Sequence, residues 1–369
     1  MNARGFSSLR ENLAALDKLL LCGVLSLFFL GVACIYSAGS GGPQGGGYAY
    51  RQIFWFCVSA GAFMAALMVG YRKLMDFTYP IYFITLLLLV ITMFAAPNVK
   101  GAQRMISLGF IGFQPSEFGK IAIVLVMAKF LNRYPPLNWK TFLGGLLVGS
   151  PALLMVLKQP DLGSALVYAA IIMAALFVAG SPMKYIMSFM GLGLAACPVL
   201  WSFLKEYQKL RLLVFLDPTR DPLGAGYNVI QSRIAVGSGS FWGKGFLQGL
   251  QSKLRFLPEP HTDFIFSVYA EEFGFLGSSL ILAVFGLIFT RMILLGMKSH
   301  EIRAKILVAG ITVWIWFQTF EGIGMTMGLM PVTGLPLPFL SYGGSSVLSV
   351  SIALGLLGSV ALESVKPYK

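Results

Sequence analysis

Charge is scarce in this chain. Only 12% of its residues are Asp, Glu, Lys or Arg, against 57% hydrophobic. A soluble domain would be about a quarter charged, so a water-solvated globule is excluded and lipid must solvate most of the surface. Histidine is nearly missing, with two residues in the chain. His261 beside Asp263 makes, alone, only a weak metal pair. The four cysteines, Cys22, Cys34, Cys57 and Cys197, all fall in apolar runs. They show neither a disulfide framework nor metal-ligand spacing and read as small packing residues. A nucleotide loop is lacking too. Gly239, Gly243 and Lys244 are spaced one residue short of a Walker motif, and Gly245 replaces its Ser or Thr.

What the chain does have is long apolar runs. Ten centre on residues 18–36, 53–69, 77–96, 117–131, 142–157, 163–179, 185–203, 263–295, 306–327 and 346–361. Runs of this length can cross a bilayer. Backbone groups in lipid must be satisfied internally, so the runs are helices. The expected fold is an all-α integral membrane protein, one polytopic domain over residues 1–369. The N-terminus imitates a signal peptide, but nine further runs follow, and the first is kept as a span.

An even number of spans puts both termini on one side. Over the short loops, basic residues crowd that side: Arg4, Arg10, Arg72, Lys73, Lys129, Arg133, Lys140, Lys184, Lys298 and Arg303 lie there, against Arg51, Lys100, Arg104 and Lys158. The positive-inside rule therefore sets both termini in the cytoplasm. One long loop, residues 204–262, then lies outside, between helices 7 and 8. The net charge of +13 is spread around the spans, which argues against nucleic acid as a partner. Topology explains the inner share of it, and the outer share asks for an anion.

Polar information gathers in a few outer segments. In GAQRMISLGFIGFQPSEFGK (101–120), Pro115 suits a helix's first turn. Glu117 and Lys120 follow on one face. They read either as an internal ion pair hidden from lipid or as the wall of an outward cavity with Arg104 nearby. In LKQPDLGSAL (157–166), Lys158 and Asp161 flank a tight turn, and Asp161 lies just inside the next helix. Residues 201–216 mix charges with large apolar side chains, as an interfacial helix does. The segment GLMPVTGLPLPFLSYGGSS (328–346) is too rich in Pro and Gly for a regular helix, so it lines a cavity or is covered by protein. Ser345 and Ser346 either donate into that cavity or cap the next helix. LPEPHTDFIF (257–266) ends the long loop on Asp263, where an apolar run begins. An acid at the lip of a membrane is costly, and it reads either as a cap or as a reacting group. Glu271 and Glu272 lie about two turns deeper, and one of them is expected to face shielded protein.

These blocks, in this order, resemble the SEDS family (shape, elongation, division and sporulation) through nearly the whole chain. GAQR, SLGFIGFQPSEFGK, QPDLGSAL, FLDPTRDPLGAGYNVIQS, KGFLQG, LPEPHTDFIF, AEEFGFLG and PVTGLPLPFLSYGGSS carry the match. AEEFGFLG and the absence of a long tail favour the rod-shape branch. The resemblance implies a multi-pass bacterial cell-membrane enzyme that polymerises lipid II into β-1,4-linked glycan during cell-wall elongation and releases undecaprenyl pyrophosphate on the extracytoplasmic side. It implies Asp263 as the catalytic acid, here read as the general base. Glu117 and Lys120 become a functional ion pair, and Arg104 and Asp161 belong to the outer cavity, which Lys158, His261 and Ser345 are also expected to line. A divalent cation, Mg or Mn, and no organic cofactor are implied. The implied partners are lipid II, undecaprenyl-linked glycan, membrane lipid and a PBP2-like class B penicillin-binding protein, a transpeptidase that docks on the later spans. Two departures stand out: Met105 where relatives carry Trp, and Gly322 where a relative would carry Asn. The rival readings are a lipid II flippase and a non-catalytic scaffold for a transpeptidase.

Overall fold

A computed structural model describes residues 16–40, 46–95, 105–108, 111–204, 206–222 and 224–365. Helices occupy all ten apolar runs: α1 Lys18–Ser40, α2 Gly47–Asp76, α3 Thr78–Ala95, α4 Pro115–Arg133, α5 Trp139–Lys158, α6 Leu162–Val178, α7 Met183–Phe203, α11 Ile265–Lys298, α12 Ile302–Met327 and α13 Gly344–Val365. Between α7 and α11 the chain forms α8 Glu206–Leu216, a 3-10 turn at Pro218–Arg220, α9 Ala225–Ser238 and the short α10 Leu250–Lys253. The helix expected over 201–216 is thus present as α8, separate from α7. Six of the long helices are long and apolar enough to cross a membrane, and α3, α6 and α7 contain shorter apolar stretches. α4 carries four charged side chains within 19 residues, two of them buried.

Local signals start these helices where the sequence places them. Pro115 opens α4 at a position that tolerates proline. Asp161 caps α6, accepting from Ser164 N–H at 3.1 Å. A small hairpin, β1 Ile106–Leu108 paired antiparallel with β2 Ile111–Phe113, precedes α4 and was not expected.

Small residues bring the spans together, as packing in lipid requires. A Cβ on Gly355 of α13 would sit 2.5 Å from the Phe63 carbonyl of α2, and one on Gly31 of α1 would sit 2.7 Å from the Leu340 backbone. The core is apolar, centred on α4, α6, α12 and α13, with Trp314 and Tyr168 fully buried. At the end of α11 remote from Asp263, Leu16, Lys18, Leu294, Lys298, Ala361 and Ser364 surround a cavity of about 390 Å³. Nearby, Arg72 bridges Glu301 and Glu363, both at 2.7 Å.

α11 is not one continuous helix. Gly274 adopts φ +64 inside it, a left-handed conformation that glycine alone takes without strain. The glycine-rich segment after α9 fills the break. Phe275 N–H donates to the Ser240 carbonyl and Leu276 N–H to the Phe241 carbonyl, while Lys244 and Gly245 donate to the Glu271 and Glu272 carbonyls. This is the structural use of the sequence GSGSFWGKG.

Candidate active site

Three chain segments meet at the start of α11. The first is the end of the long segment between α7 and α11, residues 259–263. The second is the irregular run 331–346. The third is the hairpin with the turn into α4. Their meeting is fixed by backbone hydrogen bonding. Tyr342 N–H donates to the His261 carbonyl at 2.9 Å. Ser341 Oγ donates to the Thr262 carbonyl at 2.6 Å and accepts from Leu337 N–H at 2.9 Å. From α2, buried Gln52 donates to the Ser341 carbonyl at 3.2 Å and accepts from Gly343 N–H at 3.3 Å. Ser345 Oγ accepts from Gln114 N–H at 3.2 Å and donates to the Gly112 carbonyl at 3.0 Å.

Between these segments lies a cavity of about 400 Å³. Asp263, Thr262 and Glu259 line it on one side, Gly334 and Pro336 on another, and Tyr342 to Ser346 along its floor; Trp55, Met105, Gly112 and Gln114 complete it. Asp263 is half-buried. It precedes Phe264, the residue at the N-cap of α11, where no side-chain cap is formed. Asp263 itself is among the residues that line the cavity. Gly334, at φ +77, runs against it: a Cβ there would lie 3.3 Å from Asp263 Oδ2.

The other expected residues divide. Ser345 lines the cavity with Asp263. His261 sits behind it, stacked on Tyr48 at 4.2 Å and edge-on to Tyr342. Burial holds its imidazole below the ordinary value of 6.5, against the pull of Glu259. Glu117 and Lys120 are fully buried and paired at 2.5 Å. Ser349 Oγ donates to the free side of Glu117 at 3.4 Å, and Lys120 Nζ lies 5.4 Å from the Trp314 ring centroid. The pair thus lies beneath the cavity rather than in its wall. A buried pair of this kind holds its geometry because either charge alone would be costly. Asp161 is likewise buried, and both its oxygens are engaged by Ser164. Lys158 is the last residue of α5, exposed and absent from the cavity wall. Arg104 lies outside the described residues.

Sequence reasoning expected one of Glu271 and Glu272 to face protein, yet both do. Glu271 takes Lys244 Nζ at 2.6 Å and the N–H groups of Leu250 and Gln251, and Glu272 accepts from Ser37 Oγ. Gln52, Trp55 and Gly334 were missed, since their roles depend on contacts with distant segments. Glu321 was also missed. The signal for it was present: an acid inside an apolar run.

Comparison with known proteins settles the relationship. The model of the family FTSW, RODA, SPOVE, described as "Cell cycle protein", matches residues 15–366. The chain belongs to this FtsW/RodA/SpoVE family. It is 38% identical over 348 residues to "Peptidoglycan glycosyltransferase MrdB" of Escherichia coli (strain K12), covering 94% of this chain and 93% of that protein. A solved structure described as "Structural coordination of polymerization and crosslinking by a peptidoglycan synthase complex" superposes with TM-score 0.83 at 30% identity, over 95% of this chain and 99% of that one. The crystal structure of the rod shape determining protein RodA from Thermus thermophilus superposes with TM-score 0.73 at 28% identity, over 95% of this chain and 98% of that one. The FtsW/RodA/SpoVE fold thus extends over nearly the whole chain, including the segments that enclose Asp263. Met105, where the family resemblance implies Trp, is half exposed on the cavity wall. At Gly322, the other departure, a Cβ would meet Leu337 at 3.4 Å. An Asn there would therefore touch the irregular run.

Proposed function

We propose that this chain is a peptidoglycan glycosyltransferase that polymerises lipid II, with Asp263 as the general base. The observation that carries the reading is Asp263 lining a cavity at the head of α11, in a family whose curated relatives bear that enzyme name. Asp263 takes the proton from the 4-hydroxyl of the acceptor N-acetylglucosamine. The freed oxygen attacks the anomeric carbon of the lipid-linked donor chain. The α-linked undecaprenyl pyrophosphate leaves from the opposite face, so the new bond is β-1,4. A sugar hydroxyl is a poor nucleophile, and a positioned base is worth roughly 10²–10⁴ in rate.

The leaving pyrophosphate needs positive charge. Lys120 is enclosed with Glu117, which leaves this role to Arg104 and to the basic side chains of the outer segment. For a divalent cation, the described residues hold no cluster of three or more ligating side chains. The cavity does offer the carboxylates of Asp263 and Glu259. One or two carboxylates completed by substrate phosphate oxygens is the usual pattern for Mg²⁺, so the residues fit that mode. Bound there, the ion would supply charge to the leaving group.

The long helices are ten spans with both termini cytoplasmic, and the cavity opens to the extracytoplasmic side of the cell membrane. The partner is a class B penicillin-binding protein. An apolar groove of about 710 Å³ between α6, α11 and α12, walled by Phe177, Phe289, Ile293, Met297 and Trp316, suits the single span of such a transpeptidase. The flippase reading drew on the intramembrane charges of Glu117 and Lys120. Their enclosure as a pair supports the polymerase instead, because a closed pair offers no polar path.

The test is polymerisation of purified lipid II by the purified chain with its transpeptidase, wild type beside Asp263→Asn. Long glycan from wild type alone, with folding and partner binding equal, is the expected result. Normal polymer from the variant would end the assignment of the base.

A further inference from the structure

Glu321 is the one acid of α12, whose other charged residues, Arg303 and Lys305, lie in its first turn, and it is 1% exposed. Burying a carboxyl this deeply is costly unless it does something. The observed hydrogen bond to it comes from one residue: Thr333 Oγ1 donates to Glu321 Oε1. Glu321 Oε2 is buried with no hydrogen-bond partner among the described residues.

Thr333 is joined to Gly334, the residue that runs against Asp263. On the opposite side the first turn of α6 closes in: a Cβ on Gly163 would sit 2.8 Å from Leu335 and 2.9 Å from Thr333. The short stretch Thr333–Leu335 is therefore held on three sides, by Glu321, Gly163 and Asp263. Glu321 holds it by a polar contact.

We propose that Glu321 is a positioning residue for the reaction: by holding Thr333 it sets Gly334 against the Asp263 carboxylate and fixes the direction in which that base points. This rests on the reading of Asp263 as the base. Glu321 touches no substrate and acts only through Thr333. A carboxylate displaced by about 1 Å from its productive place loses roughly 10²-fold in rate, so the contact matters to turnover well beyond its own modest strength.

Four variants of the full chain, each in complex with its transpeptidase, test this: E321L, E321Q, T333V and T333S, with D263N alongside. kcat and KM for lipid II are measured together with Tm. E321L and T333V should lower kcat by about 10- to 100-fold while KM stays within about twofold. E321Q keeps an acceptor oxygen and T333S keeps the hydroxyl, so both should stay within about threefold of wild type. Should E321L fail to fold, T333V still removes the same contact. A lowered Tm with wild-type kcat in T333V would reduce the contact to stability and overturn the inference. Loss in E321Q equal to that in E321L would overturn it too, because the hydrogen bond would then not be what matters. If D263N itself polymerised, it would be the reading of the base that failed. An inactive D263N beside a fully active E321L would sink only the role of Glu321.

Discussion

Phe275 donates its backbone N–H to the Ser240 carbonyl at 2.9 Å, joining two residues that lie on different elements across the break in α11. A helix cannot be interrupted among apolar surroundings unless its freed groups find partners. Here four such groups are met by one glycine-rich segment. The long stretch between α7 and α11 is therefore part of the frame that sets the first turns of α11, and with them Asp263.

The break depends on a residue without a side chain. Gly274 has φ +64, and a Cβ on it would lie 2.3 Å from Gly243 N. Gly274→Ala should cost about 1–3 kcal/mol from backbone strain alone, with the clash added. The expected outcome is a clearly lowered melting temperature in detergent, with polymerisation lost in proportion to folded protein. A variant as stable as wild type would show that the segment yields freely.

Gly334→Ala tests the cavity wall. Its new methyl would press on Asp263 Oδ2 from 3.3 Å and must adopt φ +77. Backbone strain of about 1–3 kcal/mol should lower the melting point, and activity per folded protein should fall by about 10- to 100-fold beyond that. Steady-state polymerisation against a thermal melt separates the two effects.

The buried pair gives a prediction through its asymmetry. Lys120→Met leaves Glu117 charged and enclosed, and breaking a buried pair by removing one partner costs about 3–5 kcal/mol. The double variant Glu117→Leu with Lys120→Met should recover much of that stability. A double-mutant cycle on melting free energies reads it directly. If the single and double variants were equally unstable, packing rather than charge would be the cause.

His261 gives a pH dependence with a definite sign. Burial favours its neutral form, so its folded pKa lies below the ordinary 6.5. As pH falls through that value the unfolded chain takes up a proton before the folded one does. Stability is therefore full above about pH 7 and declines on acidification until the folded group also titrates. The melting temperature of wild type should drop from about pH 7 to about pH 5, and His261→Gln should drop less. Parallel curves for the two proteins would assign the decline to other groups.

Hydropathy alone located all ten long helices, because backbone groups within an apolar run are best satisfied by the run's own helix. Pro115 and Asp161 marked two helix starts for local reasons that the structure keeps. Asp263 was legible because a lone acid at the start of an apolar run is costly. What stayed hidden depends on distance along the chain. Nothing near Gly274 reveals that Ser240 and Phe241 will meet its helix. Likewise, nothing near Glu321 names Thr333 as its partner. Glu117 and Lys120 were seen as a pair, but whether they lined the cavity or lay beneath it turned on how Ser349 and Trp314 pack around them.

The cavity bounded by Leu16, Lys18, Ala361 and Ser364 places the two extremities of the described chain side by side. Their peptide connectivity is therefore interchangeable in principle. A short tether could close the polypeptide into a ring there, and fresh ends could be cut into a distant exposed bend without moving any helix. A permuted chain of this kind would carry its fluorescent or affinity labels away from that cavity.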